Sequence, residues 1–337
     1  MKKFLSLISL MLGVFFTFTA CGDKTTKPED ESMKVRVGVT IYPLKYFTEV
    51  IGGDKVDVFS IIPDGSDAHN FDPKPMDLKD LNNTDIFVYN GLGMEEWIDS
   101  ILNTLEGTDV KKVEASTGIK ALSAIEEENH EHEEEADHEH EEEADHEHAE
   151  DADHEHTEEA DHNHDHNHGG NDPHVWLSLS DALVQAENIK NALVEVDQEN
   201  KDYYEENYNN LVKEFTTLKD EYSSKFNNIT NKDFVTGHAA FGYLCRDFGL
   251  TQSSIADVFG EGELTPKDLE ALIEYSKAND VKVIFSESTA SEKEAETLAK
   301  EVGARVEKIY ALETQEDGMN YIEGMRYNLE TIYNALK

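Results

Sequence analysis

Apolar residues alternate with polar or small ones at Val35, Val37, Val39 and Ile41. That two-residue period predicts a strand with one face buried. Val56–Ile62 and Ile86–Tyr89 read the same way, and the stretches Leu44–Ile51, Asp77–Leu81 and Glu95–Leu105 between them read as helices. Strand–helix alternation predicts a parallel sheet with ligand-carrying loops at the carboxyl ends of its strands. Ser180–Asn228 is apolar at three- and four-residue steps, through Leu183, Ala186, Ile189, Leu193, then Tyr204, Tyr208, Leu211, Phe215, Leu218 and Tyr222. The spacing predicts a long helix, interrupted at Asp197–Asn200, able to run as a spine from one lobe to the other. A second strand–helix series follows. Phe234–Thr236, Val281–Phe285 and Arg305–Ile309 are strand-like, and Ser291–Val302 is helical. Thr265–Ala278 starts with Thr265 as N-cap and Pro266 as first helical residue, the arrangement a helix N-terminus prefers. A last helix aligns Ile322, Met325, Leu329, Ile332 and Leu336. The pattern therefore predicts two α/β lobes.

Two segments depart from it. Lys2 and Lys3 precede an apolar run from Phe4 to Ala20, and then Cys21-Gly22-Asp23. The basic start and small residues before a cut site make a secretory signal. The run is shorter than the roughly 20 apolar residues that span a bilayer. Phe18-Thr19-Ala20-Cys21 resembles a bacterial lipobox, which implies cleavage before Cys21 and lipid on its sulfur. Gly22 to Ser32 reads as a polar tether.

The second departure is Glu126–His168. Its 43 residues hold 22 acids, 12 of the chain's 15 histidines and no Lys or Arg. A unit close to Ala-Asp-His-Glu-His-Glu-Glu-Glu recurs every eight residues. It places histidine pairs at His130 and His132, His138 and His140, His146 and His148, His154 and His156, and His162 and His164. His166 and His168 extend the last copy. With nothing apolar to bury, this insert is expected to be disordered when empty. Imidazole suits Zn²⁺, Cu²⁺ and Ni²⁺, with carboxylates as added ligands, so the insert reads as a low-affinity zinc collector. It should lose metal as pH falls through roughly 6.5. The plain alternative is a solvated acidic linker, against which the regular pairing of the histidines speaks.

Composition sharpens the picture. The net charge of the 337-residue chain is −44, half of it in the insert. A field of this sign draws cations and excludes nucleic acid as the default partner. The two cysteines rule out a disulfide framework. Cys245 lies among Phe241, Leu244 and Phe248 and reads as a small core residue. Gly91-Leu92-Gly93 lacks the rest of a phosphate loop and reads as a tight turn, while Trp97 and Trp176 read as packing residues.

Three histidines remain: His69, His174 and His238. His69 and His238 follow predicted strands, and His174 follows Pro173 just after the insert. One such histidine is more often structural than a ligand. Three of three, beside a histidine-rich insert, point to a shared metal site between the lobes.

Several motifs then carry a resemblance. They are Asp64-Gly65 with His69 and Pro73, Asn90-Gly91-Leu92-Gly93-Met94-Glu95 with Trp97, and Asp172-Pro173-His174-Val175-Trp176. Thr236-Gly237-His238 with Phe241-Gly242-Tyr243, Glu287, and Glu313 with Gly318, Tyr321 and Asn328-Leu329 complete them. Over residues 34–337 the chain resembles the zinc-binding lipoproteins that serve ABC importers as metal-specific solute-binding proteins. The resemblance implies two Rossmann-like lobes with mainly parallel sheets, joined by one long spine helix, with the metal in the interlobe cleft. It implies His69, His174 and His238 as ligands. It implies Glu313 as the fourth, with Glu287 the runner-up and Asp317 a third choice. Manganese relatives have a carboxylate at the position of His238, so Zn²⁺ is expected ahead of Mn²⁺.

The expected organisation is a signal peptide 1–20, a lipidated tether 21–32, an N-terminal lobe 33–178 containing the insert 126–168, a connecting helix 179–228 and a C-terminal lobe 229–337. The expected function is zinc capture by a lipid-anchored monomer, on the extracytoplasmic face of a Gram-positive-like cell membrane, and delivery to an ABC-type permease. A manganese receptor, a surface adhesin and a zinc hydrolase are the rivals. No His-Glu-x-x-His occurs in the insert to support the last.

Overall fold

The computed structural model describes residues 34–75, 78–124, 170–260, 265–288 and 291–337. The lipidation expected at Cys21 lies outside them. So does the weak metal binding expected at His130, His132, His138, His140, His146, His148, His154, His156, His162, His164, His166 and His168. Two four-stranded, wholly parallel sheets organise the described part. The first is built from β1 (Val35–Val39), β2 (Val56–Ser60), β3 (Ile86–Tyr89) and β4 (Lys111–Glu114), in the order β2-β1-β3-β4. The second uses β5 (Asp233–His238), β6 (Thr251–Ala256), β7 (Val283–Ser286) and β8 (Arg305–Lys308), in the equivalent order β6-β5-β7-β8. In each sheet the strand order reverses beside the first strand, which opens a crevice at the carboxyl ends.

The helices are α1 (Tyr42–Gly52), α2 (Ile98–Thr104), α3 (Leu179–Val196), α4 (Lys201–Phe226), α5 (Gly242–Phe248), α6 (Pro266–Ala278), α7 (Glu292–Val302) and α8 (Tyr321–Leu336). Thr265 and Asp268 close a capping box at α6, as the Thr-Pro start predicts, and Asn320 and Glu323 close another at α8. Among the described residues no helix is long and apolar enough to cross a membrane.

The predicted spine is not one helix. Asp197 leaves helical geometry at φ −130°, ψ 76°. Its Oδ2 accepts from Asn200 Nδ2 and from Tyr204 Oη, both at 2.7 Å. The chain therefore doubles back. Lys219 donates to Ser180, and the Lys190 ammonium lies 5.0 Å from the Tyr208 ring centre. α3 and α4 thus form an antiparallel hairpin, and α4 alone, about 39 Å long at 1.5 Å per residue, is the long helix. The helix expected at Asp77–Leu81 is also absent over its described part. A single 3₁₀ turn, Leu81–Asn83, stands there instead.

One apolar core runs through both sheets. Val37, Val39 and Phe47 join it from the first half, Phe234, Phe285 and Met325 from the second, and Leu211, Phe215 and Leu218 of α4 lie between them. Two smaller clusters back the outer faces: Phe87 with Ile101 and Leu105 under α2, and Val235 with Leu272 and Leu298 under α6 and α7. The shared core holds the carboxyl ends of the two sheets in one frame.

Candidate metal centre

Three loops and the end of one strand bring side chains to one point. His69 lies beyond β2, and its backbone N–H donates to Asp67 Oδ1 at 2.9 Å, an Asx-type turn that aims the ring inward. His174 opens a 3₁₀ turn, Val175–Leu177. Both its backbone N–H and its Nδ1 meet Asp172 Oδ1 at 2.9 Å. With Nδ1–H donating to Asp172, the neutral ring presents its Nε2 lone pair to a ligand. His238 is the last residue of β5 rather than part of a following loop. Its carbonyl accepts from Thr236 Oγ1 at 2.6 Å and Gln252 Nε2 at 2.8 Å. Glu313 follows β8, and its carbonyl accepts from Tyr42 N–H at 3.0 Å.

One ligand atom from each of His69, His174, His238 and Glu313 lies within 4.8 Å of the other three. His69 Nε2 and His174 Nε2 are 3.2 Å apart. Glu313 Oε1 stands 3.6 Å from His69 Nε2, 3.7 Å from His174 Nε2 and 3.8 Å from His238 Nε2. Metal–nitrogen bonds of about 2.0–2.1 Å in a tetrahedron give ligand–ligand edges of about 3.3–3.4 Å. These four separations sit close to that spacing, and the remaining two are within 4.8 Å. The ligand atoms are also buried without hydrogen-bond partners at His238 Nε2 and at both Glu313 oxygens. Buried polar atoms left unpaired cost free energy, and a cation at the centre would satisfy them all at once.

Burial works to lower the His174 pKa, but the Asp172 and Glu313 carboxylates outweigh it and push the ring up to about 9. Burial works to raise the Glu313 carboxyl, yet the imidazoles around it hold it well below the usual carboxylate range.

The other acids expected near the site stand apart from the four. Glu287 is buried with both oxygens unpartnered, and its Oε1 is 3.8 Å from His238 Nδ1, on the ring edge opposite Nε2. Asp317 is at the surface, where Lys308 Nζ at 2.9 Å and Tyr310 Oη at 2.6 Å donate to it.

A supporting frame surrounds the ligands. Asn90 Nδ2 donates to Pro173 O at 3.0 Å and Tyr243 Oη to Asp172 O at 2.7 Å, which seats the His174 loop. Trp176 Nε1 donates to Ala311 O at 2.7 Å, joining that loop to the one that carries Glu313. Trp176 thus does more than pack. Sequence reasoning assigned no role to Asp172, although the Asp-x-His spacing was its signal. It also missed Leu312, which takes φ +61° just before Glu313. The Gly91-Leu92-Gly93 turn is as tight as expected, with φ of 82°, 59° and 89°. It lets Asn90 and Gly91 N–H donate to buried Glu95 at 2.7 and 3.0 Å.

Residues 37–335 match the family described as zinc-uptake complex component A, periplasmic. The chain belongs to this family. It is 35% identical over 329 residues to the high-affinity zinc uptake system protein ZnuA of Bacillus subtilis (strain 168), covering 96% of this chain and 94% of that protein. A solved Zn(II)-bound variant of AdcAII from Streptococcus pneumoniae superposes with a TM-score of 0.74 at 29% identity, over 91% of this chain and all of that one. The laminin-binding protein Lmb of Streptococcus agalactiae, described as bifunctional with adhesin and metal-transporting activity, gives a TM-score of 0.73 at 28% identity, over 90% of this chain and all of that one. Two parallel four-stranded sheets with their helices are therefore the family's fold in this chain.

Proposed function

We propose that the protein captures one Zn²⁺ ion with His69, His174, His238 and Glu313 and delivers it to an ABC-type membrane permease. The observation that carries this reading is the convergence of three imidazole nitrogens and one carboxylate at tetrahedral spacing, without internal partners. Three nitrogen donors favour zinc over manganese. Four protein ligands leave no open position for a reacting water, so capture is reversible and no bond is made or broken in the cargo. Zinc is substrate here, not catalyst. Glu287 stands behind His238, outside the set of four ligands. Lipid on Cys21 keeps the monomeric protein beside its permease on the extracytoplasmic face. The insert pairs, from His130 and His132 through His162 and His164 to His166 and His168, gather Zn²⁺ weakly and raise its concentration near the site.

Competition titration with a zinc chelator tests the reading. The expected result is one site much tighter than micromolar, lost in His69→Ala and weakened in Glu313→Gln, together with several weaker sites that belong to 126–168. A protein without 126–168 that binds zinc no better than micromolar refutes it. The likeness to Lmb favours adhesion as a second reading. Zinc-independent binding to immobilised laminin would support that one.

A further inference from the structure

A cavity of about 240 Å³ lies directly against the site. Of the four ligands only His69 and His238 line it, and neither His174 nor Glu313 does. Its other walls include Ile255, Ala256 and Phe259, whose ring meets His69 edge-on at 5.8 Å between centres, and Glu294 of α7. About 10–15 Å³ of cavity suffices for one water, so the space admits a cation that still carries its hydration shell.

Two side chains in this cavity are set up for a cation. His238 is almost wholly buried, and its Nε2 has no hydrogen-bond partner. Glu294 is half-buried at the third position of α7, where a capping box would turn its carboxylate back on the helix start. That box is not made, because Ser291 caps the helix without a side-chain hydrogen bond. Asp67 also lines the cavity, but its oxygens are occupied by the backbone of His69 and by Asn70. Among the described residues Glu294 is therefore the carboxylate without an internal partner that can meet an ion on its way in.

We propose that this cavity is the passage by which the divalent cation enters and leaves, with Glu294 as its relay carboxylate. The ion meets His69 and His238 first and exchanges its remaining waters for His174 and Glu313 afterwards. The inference rests on the zinc-capture reading and adds the route and the order of capture. A group on the route speeds entry and exit alike. Its loss slows both rates by the same factor and leaves their ratio, the affinity, in place. Loss of a ligand changes the affinity itself.

The test is stopped-flow loading of the full mature protein with Zn²⁺, and stripping with excess chelator, followed by tryptophan emission. Trp176 reports on the tight site because its ring centre is 5.1 Å from that of His174. Glu294→Gln is expected to slow loading and stripping together by about tenfold, the low end of what a local charge gives to ion encounter, with the equilibrium constant unchanged within about twofold. Ala256→Phe, which fills the cavity from β6, is expected to slow both further. Native rates in Glu294→Gln, or slower loading without slower stripping, overturn the proposal, whether or not Ala256→Phe folds. Absence of a tight zinc site in the unaltered protein would overturn the capture reading instead, and would show as no emission change on loading.

Discussion

Replacing Asp172 by Asn separates two effects that the native site combines. Asp172 holds His174 through Nδ1 and shares with Glu313 in raising its pKa to about 9. Zinc needs the neutral ring. Below about pH 9 it must displace a proton from His174, and affinity rises tenfold for each pH unit until the ring is neutral without help. At pH 7 that competition is on the order of 100-fold, or roughly 3 kcal/mol. In Asp172→Asn the ring keeps Glu313 but loses the nearer carboxylate, so burial weighs more and its pKa falls below that of the native ring. Two changes follow. The proton competes less between pH 7 and 9, so the slope of log Kd against pH flattens. The ring also loses the carboxylate that orients it and strengthens its lone pair, a loss worth about 10–100-fold in affinity. The variant should therefore bind about 10–100-fold more weakly than native protein at pH 9 and recover most of that difference at pH 7. Chelator competition at half-unit steps from pH 6 to 9.5, on protein lacking 126–168 so that only the tight site is read, measures it. A variant that keeps the native slope across pH 7–9 refutes the assignment of the proton to His174.

Gly324 of α8 lies under Leu312, and a Cβ there would come 2.5 Å from Leu312 Cδ2. Gly324→Ala should cost about 1–3 kcal/mol as an overpacked contact, lower the melting temperature, and weaken zinc binding because Leu312 is joined to Glu313. A variant with native Tm and native affinity would sink this link. Deleting 126–168 should leave the fold and the tight site intact. Asp172 N–H donates to Leu122 O at 2.9 Å and Ala124 N–H to Gly170 O at 3.1 Å, so the body is closed on either side of the insert. Circular dichroism and one-to-one zinc stoichiometry check that outcome.

Most of the fold was legible because buried strands and amphipathic helices announce themselves by period. β1 and the stripe of α8 stand where alternation and three- and four-residue steps put them. The strands that escaped are β4, Lys-Lys-Val-Glu, and β6, Thr-Gln-Ser-Ser-Ile-Ala. Both are edge strands, with one neighbour and little apolar burial, so their residues need not be hydrophobic. The α3–α4 hairpin escaped because periodicity is blind to direction. Asp197 marks an interruption in the sequence, but only the contacts of Lys219 with Ser180 and of Lys190 with Tyr208 show that the chain reverses. The three histidines were legible by scarcity once the insert was set aside. Glu313 was not, since nothing local separates it from the many other acids. It rested on family likeness, and its distinguishing feature, a pair of unpartnered buried oxygens facing three imidazoles, exists only in three dimensions.

The bridge between Ser123 and Asn171 gives the insert a fixed doorstep. Whatever is spliced between these residues leaves and rejoins the body at one place, three residues before His174. Closing a tethered segment costs only about 0.6 kcal/mol for each doubling of its length. Copies of the eight-residue unit can therefore be gained or lost at almost no expense to folding. On the collector role proposed above, the number of histidine pairs sets cation capacity in single steps, with the fold beneath it left unaltered.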